Sequence, residues 1–142
     1  MKRAIACAAA VAALAIPAGA EAATTYTGKV KGDPKTSVEL KVRGKGDNRA
    51  VKSFEVEQLR IACEGDRRAT VPRVAITGNA AASDEGRFAI KGTGDHGEQV
   101  ALKGKLRGKH RAKGTFEYSG PTEVGDQVLD CTSGKVGWRA SR

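Results

Sequence analysis

Residues 98–120 read EQVALKGKLRGKHRAKGTFEYSG. On the first arm Val100, Leu102, Gly104 and Leu106 alternate with Ala101, Lys103 and Lys105. On the second, Ala112, Gly114, Phe116 and Tyr118 alternate with Arg111, Lys113, Thr115 and Glu117. A period of two marks a strand with one dry and one wet face. The polar, Gly-bearing link Arg107-Gly108-Lys109-His110 suits a hairpin turn. The stretch therefore predicts a β-hairpin whose wet face is cationic.

The same alternation recurs outward from it. Tyr26, Gly28 and Val30 predict one strand, and Val38, Leu40 and Val42 a second, with turns at Gly32-Asp33-Pro34-Lys35 and Gly44 to Asn48. A third strand begins near Ala50 with Phe54 and Val56 inward. By Leu59, Ile61 and Cys63 the apolar residues have moved to odd positions, which predicts a bulge, bend or break near Glu57-Gln58. Pro72 predicts an edge or strand-start position for the strand holding Val74 and Ile76. Glu64 to Arg68, Asn79 to Gly86 and Gly120 to Gln127 read as loops. Phe88 and Ile90, then Val136, Trp138 and Ala140, complete the set. No helical period is sustained after the leader. About eight short strands with turn residues between them predict an all-β fold, an antiparallel sandwich or small barrel. Gly-Lys-Val/Leu recurs at residues 28–30, 104–106 and 134–136, spaced too irregularly for a repeat architecture.

The first 22 residues have the layout of a cleaved secretory signal peptide. Lys2 and Arg3 precede an apolar run from Ala4 to Ile16, Pro17 and Gly19 break it, and Ala20-Glu21-Ala22 offers a small-x-small cleavage site. The run is too short and weakly apolar for a membrane anchor. Residues 23–142 then form a single antiparallel β-domain, secreted or held at the periplasm or cell envelope. The formal charge of +9 becomes +8 on loss of Lys2, Arg3 and Glu21. Two cysteines remain, Cys63 and Cys131, and export predicts that they form a disulfide. Closing that loop stabilises by about 4 kcal/mol in a chain-entropy treatment. A core of small aliphatics, with few aromatics, needs that support.

Three segments, TYTGKVKGDP, GKLRGKHRAKGTFEYSG and CTSGKVGWRA, together resemble uncharacterised small exported all-β proteins of high-GC bacteria. The resemblance implies an exported β-domain and brings no activity, cofactor or site residue with it.

Catalytic frames are scarce. Asp95-His96-Gly97-Glu98 sets carboxylates on both sides of a histidine, enough for a metal or a general base if another loop supplied a further group. The competing reading is a polar hairpin loop, and no second His- or Cys-rich cluster completes a tetrahedral site. His110 lies in a turn between Lys109 and Arg111. Ser119-Gly120 and Ser133-Gly134 lack the Gly-x-Ser-x-Gly frame. Glu55, Glu57, Glu117 and Glu123 show no facing pair of the kind glycoside hydrolysis uses. The loop acids lack calcium-loop spacing. No cofactor or metal is indicated.

Charge is the feature that remains. Lys29, Lys31, Lys41, Lys103, Lys105, Arg111 and Lys113 fall on the wet phase, as do Arg43, Lys135 and Arg139. If their strands are neighbours, they make a face for anionic envelope or extracellular polymers. The aromatic side chains Phe54, Phe88, Phe116, Tyr118 and Trp138 fall on the inward phase, which disfavours nucleic acid, whose bases need exposed stacking platforms. Lysine on exposed strands also protects edges and maintains solubility. The expected function is a non-enzymatic exported binding domain. The alternatives are a small hydrolase with a loop site at Asp95, His96 and Glu98, and a secreted inhibitor presenting the loop Glu64 to Arg68.

Overall fold

A computed structural model describes residues 22–142; the signal peptide expected over residues 1–22 lies, but for Ala22, outside the described residues. Eight strands follow in order: β1 Thr24–Val30, β2 Asp33–Arg43, β3 Ala50–Cys63, β4 Arg67–Ala81, β5 Arg87–Thr93, β6 Gln99–Arg107, β7 Arg111–Val124 and β8 Gln127–Ser141. The fold is all-β. All registered pairs are antiparallel, in the sheet order β4-β3-β2-β1-β8-β7-β6-β5.

Closure comes from the unequal lengths of the strands. β1 and β2 form a short hairpin around Lys31-Gly32, whereas β3 and β8 run on past its tip. There they pair directly, Ala62 with Thr132 and Cys63 with Cys131. β1, β2, β3 and β8 thus make a closed four-strand ring, and the other strands extend from it. Cys63 and Cys131 form the disulfide at the point of closure. The sheet ends, β4 and β5, meet through side chains: Ile76 packs towards Gly92 and Ile90 towards Gly78.

The inward phase makes one core. Leu40, Val51, Phe54, Val56, Leu102, Phe116 and Trp138 are buried within it. Trp138 packs tilted against Phe54 with ring centroids 5.1 Å apart, and Phe54 against Phe116 at 5.6 Å. The inner rung Gly104–Gly114–Trp138 explains the glycine at 104. A methyl at Gly104 would lie 2.4 Å from Phe88 Cζ and 3.0 Å from Trp138 Cζ2, so glycine leaves room for both rings. The Trp138 Nε1–H finds no acceptor among the described residues.

The predicted phase slip in β3 is present and has a backbone cause. Gln58 has φ 57°, a left-handed conformation that turns the chain without a break. β4 slips at the same rung: Val71 packs against the core, Pro72 and Arg73 are exposed, and Val74 is buried. Both strands therefore turn one corner together. Thr36, buried on β2, holds it with a hydroxyl 2.8 Å from the Gln58 carbonyl and 2.9 Å from Asp33 Oδ2. Its single proton is shared between them.

Several expected boundaries move. Pro34 lies inside β2, the first turn being Lys31-Gly32. Pro72 lies mid-strand, on an edge, because β4 pairs only with β3. Asn79 to Ala81 continue β4, with Ala80 opposite Val51. Gly120 to Val124 continue β7, with Pro121 opposite Asp130 and only Gly125-Asp126 as the turn. Pairing with β6 ends at Ser119. Pro121 therefore sits where β7 has a free edge and its missing N–H costs no ladder bond. In the triplet at 134–136, Gly134 is exposed with φ 63°, unlike Gly28 and Gly104.

Candidate anion-binding face

Directly opposed residues in an antiparallel ladder project from the same face of the sheet, with Cβ atoms about 5 Å apart. The registers align one outward row across five strands. Arg87 on β5 opposes Lys105 on β6, Lys105 opposes Lys113 on β7, Lys113 opposes Arg139 on β8, and Arg139 opposes Lys29 on β1. The row is unbroken by any neutral or acidic residue. The next outward row holds Lys103, Thr115 and Gly137, with Lys31 bound to it through its backbone N–H at 2.7 Å from the Gly137 carbonyl. Lys31, Lys103, Lys105, Lys113 and Arg139 surround a shallow depression of about 390 Å³, floored by Thr115, Gly137 and the bare backbone of Gly104 and Gly114, with the buried Trp138 also lining it.

Like charges on opposed strands repel. Two unit charges 5 Å apart in water cost roughly 0.8 kcal/mol, less once salt screens them. Among the described residues Lys29, Lys31, Lys103, Lys105, Lys113 and Arg139 make no ion pair; Arg87 alone in the row has one, to Glu85 at 3.0 Å. Glu117, opposite Lys135, closes the face on one side. On β2 and β3 the outward residues become Ser37, Glu39, Glu55 and Glu57. Arg73 donates to Glu55 at 2.6 Å and holds its carboxyl below the ordinary range.

Of the residues singled out in the sequence, Lys29, Lys105 and Lys113 share the row, and Lys31 and Lys103 lie in the next. Arg111 lies on the far side of the row, opposite Arg107. Lys41 is elsewhere, on β2 between Thr25 and Ser53 and paired with Glu39 at 3.2 Å. Arg87 joins the row from β5. Alternation with Phe88 places it outward, but only register sets it beside Lys105.

The loop acids and histidine do not converge. His96 is exposed, and Glu98 turns back to accept the His96 backbone N–H at 2.9 Å. The neighbouring depression is lined by Gly97, Gln99, Ser119, Gly120, Asp130, Cys131 and Thr132, without Asp95, His96 or Glu98. Among the described residues no group of three or more His, Cys, Asp or Glu could hold a metal. Ser133 accepts the Tyr118 N–H at 2.8 Å, a role in strand pairing. The Glu64-Gly65-Asp66 turn is held to β8 by Glu64 N–H to the Asp130 carbonyl at 3.0 Å. No described helix is long and apolar enough to cross a membrane. No family model, curated protein or solved structure matches the chain.

Proposed function

We propose that this is an exported, non-enzymatic β-domain that binds an anionic envelope or extracellular polymer through the outward face of β5, β6, β7, β8 and β1. The row Arg87–Lys105–Lys113–Arg139–Lys29 carries the reading. A sheet that needed lysine only for solubility would intersperse acids, as β2 and β3 do. Mutual repulsion along the row is relieved when a polyanion lies on it, and the released counterions make such binding steeply salt-dependent. Export is supported by the disulfide and by the leader-like N-terminus.

The test is a pull-down on wall preparation, acidic polysaccharide and DNA across a salt series. Retention that weakens steadily with salt, and falls in Lys103→Ser/Lys105→Ser/Lys113→Ser, supports the reading. No retention at low salt removes it and leaves the lysines as a solubility device.

A further inference from the structure

We infer that the polymer is a linear acidic polysaccharide of the uronate class, lying across the strands from β5 to β1 with about one carboxylate per strand. The inference rests on the polymer-binding reading above. Its first support is that the row is one-dimensional and bounded. Neighbouring strands lie about 4.8 Å apart, close to the length one hexose unit occupies in an extended 1,4-linked chain. The row begins at β5, an end of the sheet. It stops after β1: β2 presents Ser37 and β3 the opposed Glu57, with Glu39 beside Glu55 in the adjacent outward row. A polyanion crossing the strands therefore meets cations over five strands and repulsion beyond them.

The second support is the floor. Thr115, Gly137, Gly104 and Gly114 leave an open shelf beneath the ammonium groups with one hydroxyl on it. A pyranose ring has a body to set on such a shelf; a bare phosphate chain has none. The third is the chemistry of the donors. The floor backbone lies within ladders, so the face offers no converging N–H groups of the kind that grip phosphate at nests and helix ends. It offers three lysine ammonium groups, point charges on flexible stems, and at Arg87 and Arg139 two planar guanidinium forks that match a carboxylate bidentately. Phe88, Phe116, Tyr118 and Trp138 are buried, which leaves no platform for nucleic-acid bases.

The experiment is a titration of the intact protein with oligogalacturonates of increasing length, compared with polyphosphate and single-stranded DNA at matched charge. Gly137→Val is titrated beside it. A Cβ at Gly137 meets only Lys31 carbons at 3.7 and 3.9 Å, so the variant fills the shelf while keeping every cation, and circular dichroism checks its fold. The expected result is affinity that climbs up to about five sugar units and then flattens. Gly137→Val should lower it about tenfold while changing polyphosphate binding less than about twofold. Three results would overturn the uronate assignment and leave the cationic face standing: equal or tighter binding of polyphosphate or DNA, affinity that keeps rising well past that length, or an unaffected, folded Gly137→Val. Absence of binding to every polyanion at low salt would overturn both. If Gly137→Val does not fold, the length series on the unaltered protein decides alone.

Discussion

Single residues show how the fold makes room for itself. Gly104 and Gly137 lie on β6 and β8, one facing the core and the other solvent. Gly104→Ala drives a methyl into Phe88 and Trp138 and should cost about 1–3 kcal/mol by overpacking. Gly137→Ala, with only ordinary contacts, should stay within about 0.5 kcal/mol of the parent or gain slightly. Urea denaturation of the two variants measures the contrast. Gln58 is the corresponding backbone case. Its φ of 57° is one that a β-branched side chain resists, and its own side chain is exposed. Gln58→Val should therefore destabilise by about 1–2 kcal/mol, and Gln58→Gly should not. Equal stability of the two would show that the bend does not depend on this conformation.

Among the elements, the β2–β3 corner and the β3–β8 closure are the points where chemistry supports topology. The Asp33 carboxyl is held below its ordinary 3.8 first by the Thr36 hydroxyl, then by the Lys35 backbone N–H and the Arg60 guanidinium. Because the folded-state value is depressed, its stabilisation is complete above about pH 4 and disappears as pH falls through the folded value. Asp33→Asn should remove that acid-limb dependence, read from urea midpoints between about pH 2 and 5. Thr36→Val leaves the Gln58 carbonyl without its side-chain donor and should cost about 1–2 kcal/mol at neutral pH. At the closure, Cys63→Ser/Cys131→Ser should lower stability by about 2–4 kcal/mol. Reducing agent should have the same effect on the parent protein and none on the variant.

The strands themselves were legible in the sequence, because alternation reports which face is dry and the core is built on that phase. The slip at Gln58 was legible as a change of phase, and the pairing of Cys63 with Cys131 as the count of cysteines that follow the leader-like segment. The long reaches of β4, β7 and β8 were not. Asn79, Gly120 and Pro121 carry turn chemistry locally, and only pairing with Val51, Cys131 and Asp130 keeps them extended. Lys41 illustrates the same limit at the candidate site. Its phase is that of Lys29, yet register places it beside Glu39, whereas register brings Arg87 into the row.

For the whole molecule, the outer sheet face is divided: cations in sequence from β5 to β1, and on β2 and β3 acids paired with Lys41 of β2 and Arg73 of β4. This division distinguishes specific placement of charge from net charge alone, and two variants of equal net charge separate them. Lys105→Ser/Lys113→Ser removes two cations from the middle of the row. Lys41→Ser/Arg43→Ser removes two from β2. The decisive measurement is equilibrium binding of polygalacturonate by both variants and the parent protein over a range of salt. The row variant should bind about tenfold more weakly at low salt and show a shallower dependence on salt, with the β2 variant close to the parent. Equal weakening of the two variants would mean that net charge alone attracts the polymer, and would contradict a binding face on β5 to β1.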